Sequence, residues 1–156
     1  LGAEHRELLL ELRSKLSGDL KERAGATVEV EPLLEQLGVE PGEIDRMAEL
    51  GLIGVVRDEE GRVRILKDDL WLLELWGQIR EAGFTRELGF TVEDLELYGG
   101  LVSELFREER RILFERLAGL PTTRVAEMVE RVLPLVHTFL AHYHAAQVRN
   151  YFAAME

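Results

Sequence analysis

Residues 32–53 read PLLEQLGVEPGEIDRMAELGLI, and the punctuation of this stretch decides the fold. Pro32 suits the first turn of a helix, where its missing N–H costs nothing, and Leu33, Leu34 and Leu37 follow at helical spacing. Gly38-Val39 breaks that helix after two turns. A second short helix is predicted to begin near Pro41, to carry Ile44, Met47 and Leu50 inward, and to stop at Gly51.

Downstream, Ile53 to Arg57 and Arg62 to Leu66 are β-prone runs. Asp58-Glu59-Glu60-Gly61 joins them, with a glycine where a left-handed residue is wanted. Asp68 or Asp69 is expected to cap the next helix, which carries Leu70, Leu73, Leu75, Trp76 and Ile79 to about Ala82. Helix, tight turn, helix, two-stranded wing, helix is the order of a winged helix-turn-helix. Upstream, Leu8, Leu9, Leu12 and Leu16 mark an amphipathic helix from about Glu4 to Arg23, ended by Gly25 and followed by the β-prone run Thr27 to Val30.

The remainder reads as helices. The segment Glu81-Ala82-Gly83-Phe84-Thr85 is echoed by Glu87-Leu88-Gly89-Phe90-Thr91. Thr91 to Asp94 has the form of a capping box and opens a helix through Leu95, Leu101, Val102, Leu105, Phe106, Leu113 and Leu117. Gly99-Gly100 inside it predicts a bend or a close helix contact. Gly119 and Pro121 close that helix, and Thr122 or Thr123 is expected to cap the last one. Its apolar face holds Val125, Met128, Val129, Val132, Val136, Phe139, Leu140 and Tyr143, with Pro134 predicted to kink it.

Composition bounds the function. The 156 residues include 46% hydrophobic and 31% charged side chains, enough to bury a core and unlike a disordered tail. With no cysteine, thiolate metal sites, disulfides and cysteine nucleophiles are excluded. No apolar run approaches the roughly 20 residues that cross a bilayer, so a soluble, cytoplasmic protein with no membrane partner is expected. Leu1 at the start, in place of methionine, fits a chain that continues upstream. The net charge of −11 is uneven: zero over residues 1–25, −8 over 26–83 and −3 over 84–156.

Residues 30–84 resemble the winged-helix domain of MerR-type transcription regulators. The resemblance is carried by Leu34 to Val39, by Ile44 with Leu50 to Ile53, by Lys67 to Leu70, and by the ending Arg80 to Phe84. It covers about fifty residues and is moderately specific, since most of its positions are only apolar or glycine. The departures matter. Where such recognition helices carry an arginine, two aromatics and a glutamate, this chain has Asp45, Arg46, Met47 and Ala48. Residues 29–49 hold seven acids and one base. Binding to DNA requires cations that displace phosphate counterions, and a helix with this charge would be repelled by the phosphates. Some MerR-like regulators follow a DNA-reading winged helix with a linker helix, a second, degenerate winged helix and a helical region opening as Gly89 to Tyr98 does. This chain is similar to that downstream part, which implies a homodimer that meets DNA only through a missing upstream domain.

Several constellations have plain structural explanations. His137, His142 and His144 lack the i, i+4 spacing by which one helix supplies two metal ligands, so no metal is expected. Asp68-Asp69 and Glu93-Asp94 sit where helix starts favour negative charge. Glu108 to Arg111 reads as a solvated face with local ion pairs. No phosphate-binding glycine loop is present, and Ser14, Ser17 and Ser103 lie on helical stretches, so neither an enzyme nor a cofactor is expected. Tyr98, Phe106, Phe139, His142 and Tyr143 are candidates for a pocket taking a small apolar effector, with plain core as the alternative.

These readings predict a mainly α chain: a linker helix (1–25), a winged-helix-like domain with a two-stranded wing (26–83) and a C-terminal helical bundle (84–156). The expected function is dimerisation and effector sensing in a bacterial MerR-like regulator. Two alternatives stand beside it. One is direct DNA binding through the basic wing residues Arg57, Arg62, Arg64 and Lys67, and the other is an acidic adaptor that docks a protein partner.

Overall fold

A computed structural model describes residues 3–17 and 26–155. The predicted end of the first helix at Gly25 and the side chain of Leu16 lie outside the described part. The chain is mainly α, 72% helical, with six helices among the described residues and one small antiparallel sheet. In order these are α1 (Ala3–Ser17), β1 (Thr27–Glu29), α2 (Glu31–Leu37), α3 (Pro41–Glu49), β2 (Val55–Arg57) and β3 (Val63–Leu66). Then come α4 (Leu70–Glu81), α5 (Leu95–Leu117) and α6 (Thr122–Ala153).

Contacts group these elements into two compact units, one within Asp19–Glu109 and the other within Leu1–Gly18 and Arg110–Glu156. The division between these units falls inside α5.

In the first unit, Gly38 ends α2 in a left-handed conformation (φ 69°), and Pro41 opens α3 two residues past Val39. A capping box closes the start of α3, with the Glu40 N–H donating to Glu43 Oε1 at 3.4 Å. The two short helices stay folded because their inner faces are buried: Ile44 and Met47 join Val39, Ile65, Leu73 and Trp76 in one core. Gly77 is required there. A Cβ on it would stand 1.9 Å from the Leu37 carbonyl oxygen, so α2 and α4 touch backbone to backbone.

The wing is not two-stranded. β1 adds to it, giving the order β1-β3-β2 with Val28 opposite Ile65 and Val55 on the other side of the same residue. Ile65 is fully buried, and Arg64 fastens the added strand by donating to the Thr27 hydroxyl (2.9 Å) and carbonyl (3.1 Å). At the wing tip Gly61 is left-handed (φ 79°), as the turn required.

In the second unit, Leu8 of α1 packs with Val125 and Val129 of α6, flanked by Leu12, Leu113, Phe114 and Leu117. Helix α6 then runs unbroken through Pro134 to Ala153.

Three local expectations are corrected. Asp69 stands at the start of α4 but does not cap it; its carboxylate accepts the Gly54 N–H at 2.7 Å, tying the approach to β2 to the helix start. The residue before α6 is Pro121, already extended, so Thr122 is inside the helix and neither threonine caps it. Gly99 and Gly100 make no close contact, and α5 is continuous across them. The capping box at Thr91 and Asp94 is present, on a 3-10 turn just before α5.

Candidate functional site

Three surfaces bear on function: the outward side of α3 with the wing, a groove beside α4, and the long face of α6. The outward side of α3 shows Asp45, Arg46 and Glu49, since Glu43, Ile44 and Met47 point inward. Its one cation is engaged twice, with Glu49 at 3.0 Å and with Glu93 in a short ion pair. Arg46 holds the Glu93 carboxyl far below the usual carboxylate range, at about 2. The pairing in turn raises the Arg46 guanidinium. A phosphate approaching α3 meets carboxylates and no uncommitted base.

The wing cations fare similarly. Arg62 is ringed by Asp58 (3.1 Å), Glu60 (2.5 Å) and Glu29 (3.8 Å). Arg62 also holds the Asp58 carboxyl below its ordinary pKa, chiefly because its backbone N–H donates to that carboxylate. Arg64 is half-buried on Thr27. Arg57 is exposed, with one long hydrogen bond of 3.5 Å to the Gly61 carbonyl, and Lys67 is exposed. Of the four proposed DNA contacts, two are committed within the protein.

Beneath α3 lies a buried polar network that apolar periodicity does not reveal. Glu43 is only 4% exposed, and it accepts from the Trp76 indole N–H and from Arg80 at 3.1 Å. Arg80 lies over the Trp76 ring, 4.6 Å from its centre, and also donates to the carbonyls of Phe84 (3.0 Å) and Phe90 (2.7 Å). The charge is therefore compensated from every side, which burial requires.

Trp76 of that network also lines a groove of about 690 Å³ between α4 and the start of α5. Leu75, Trp76, Ile79, Phe84, Phe90 and Tyr98 line it, with Glu93 and Asp94 at the rim. The sequence echo builds one wall. Gly83 and Gly89 are both left-handed, and the phenylalanines after them meet edge to face at 5.0 Å. The repeated Gly-Phe-Thr is the sequence signal for this wall, and of the pocket candidates expected from sequence Tyr98 lines the groove.

The other pocket candidates are dispersed. Phe106 is exposed on α5. Phe139 and Tyr143 stack on each other at 5.4 Å, one turn apart on α6, and His142 is exposed beside them. Among the described residues, no group of three or more histidine and carboxylate side chains converges on a metal position. None of the helices is long and apolar enough to cross a membrane, among those same residues.

From Val132 onward, α6 exposes large apolar side chains, with Val136 and Ala146 half-buried. Val132, Val136, Phe139, Tyr143, Ala146 and Asn150 alternate at spacings of four and three, the seam of a heptad repeat with one asparagine in it. Comparison with family models, curated proteins and solved structures finds no match.

Proposed function

We propose that this chain is the dimerisation and effector-sensing portion of a bacterial MerR-like transcription regulator, built on a winged helix that has lost its DNA-reading surface. The observation that carries this reading is the charge on the outward side of α3. In the position of a recognition helix it offers Asp45 and Glu49, and its single arginine is held by two carboxylates. Electrostatic attraction to phosphates is the term that any DNA-binding surface supplies first, and here its sign is reversed.

The heptad seam of α6 supports assembly as the retained role. Phe139 and Tyr143 are 62% and 54% exposed, and helices with such a stripe bury it against a partner. Signalling would then be indirect. An effector or partner that prefers one arrangement of the dimer shifts the population of that arrangement, and with it DNA-binding domains attached elsewhere.

A gel-shift titration at low salt tests the reading. The expected result is no retardation of duplex DNA by this chain. Retardation that is lost when Arg57 and Lys67 become alanine would instead establish direct binding through the wing.

A further inference from the structure

The heptad seam leaves part of α6 unexplained. Val148, Tyr151, Phe152 and Met155 follow the i, i+3, i+4, i+7 pattern, and at 100° per residue their centre lies well round the helix from Phe139 and Tyr143. All four are exposed, Tyr151 and Met155 at 66% each. A helix apolar on two faces needs two partners, because one seam cannot cover both.

The groove beside α4 is apolar and set among acidic residues, opposite in character to the acid-poor end of α6. It is open: Tyr98 is 59% and Leu97 64% exposed, so it would not enclose most of a small molecule as a ligand pocket does. An open apolar groove of this kind suits the side chains of an amphipathic helix. Around it, residues 70–106 carry seven acids, and the two arginines there are held by Glu43 and two carbonyls (Arg80) or by Glu40 at 3.3 Å (Arg86). From residue 132 to residue 155, by contrast, there is no acidic side chain; Arg149 and three histidines are the charge-bearing groups, and Glu156 follows them. An acidic surface and an acid-poor helix end are thus each apolar and each exposed.

We propose that the last turns of α6 and the turn that follows, through Val148, Tyr151, Phe152 and Met155, dock in the groove between α4 and α5 of a second copy of this chain. This rests on the dimer reading above and specifies what the second apolar face of α6 meets.

The absence of cysteine makes the test direct. Leu75→Cys in the groove and Phe152→Cys on α6 are placed in separately tagged chains, which are mixed and treated with a short bismaleimide. Labelling by a monofunctional maleimide first confirms that both thiols react. The mixture should give a crosslinked pair containing one chain of each kind, far in excess of either variant alone. Phe152→Glu and Tyr98→Glu should each raise the dimer dissociation constant about tenfold or more, with helix content unchanged. A dimer by light scattering that shows no mixed crosslink overturns the groove docking and leaves the dimer reading intact. A monomer at every concentration overturns both.

Discussion

Helices α3 and α6 both read as amphipathic in sequence, yet their exposed sides carry opposite messages. The outward side of α3 is polar and acidic, and its arginine is already paired. That of α6 beyond Leu133 is apolar and has no acid before Glu156. Packing explains the inner side of each helix: Met47 and Ile44 for α3, Val125 and Val129 for α6. What remains exposed reports on the partner. A carboxylate surface excludes a polyanion, whereas an exposed apolar helix requires another apolar surface.

The contrast can be broken most severely at the buried acid. Glu43→Leu removes the partner of Arg80 and of the Trp76 N–H, and should cost about 3–5 kcal/mol by urea denaturation. The same change should leave the helical signal of α6 intact if the two regions fold on separate cores. Next in size is Gly77→Ala. Its methyl group meets the Leu37 carbonyl, which is backbone and cannot swing aside, so a loss of about 1–3 kcal/mol is expected. Native-like stability for that variant would mean that α2 and α4 are not in backbone contact.

The smallest effect is electrostatic. The Glu93 carboxyl titrates near 2, below its ordinary 4.5, because Arg46 donates to it. A depressed carboxyl stabilises the folded state above its unfolded value, and that contribution is lost as pH falls from about 4.5 towards 2. In Arg46→Ala, NMR titration should move Glu93 upward, towards the ordinary carboxylate range, with the backbone N–H and Thr91 still holding it somewhat below. An unchanged titration would show that Arg46 is not its partner. Both groups are solvent-exposed, so little change in stability is expected.

Much of the module was legible because its elements are set by local chemistry. Prolines at helix starts, glycines at left-handed stops and the Asp58–Gly61 turn specify backbone conformation over a few residues. The misses involve partners distant in sequence. β1 is β-prone in sequence, but its pairing with β3 depends on residues 37 apart, such as Thr27 and Arg64. Asp69 looked like a cap because helix starts favour acids, and instead found the Gly54 N–H 15 residues away. Glu43 falls on the inner face of α3, where periodicity expects an apolar residue. Only the convergence of Trp76 and Arg80 explains it. Of the groove, Tyr98 and the repeated phenylalanines were visible, but nothing local places Leu75 and Ile79 beside them.

The assignment as a regulatory dimer stands or falls most directly on oligomeric state. Sedimentation equilibrium over a wide range of concentration should show a reversible dimer, and Phe139→Glu with Tyr143→Glu should convert it to a folded monomer. A wild-type chain that sediments as a monomer throughout that range would contradict the assignment.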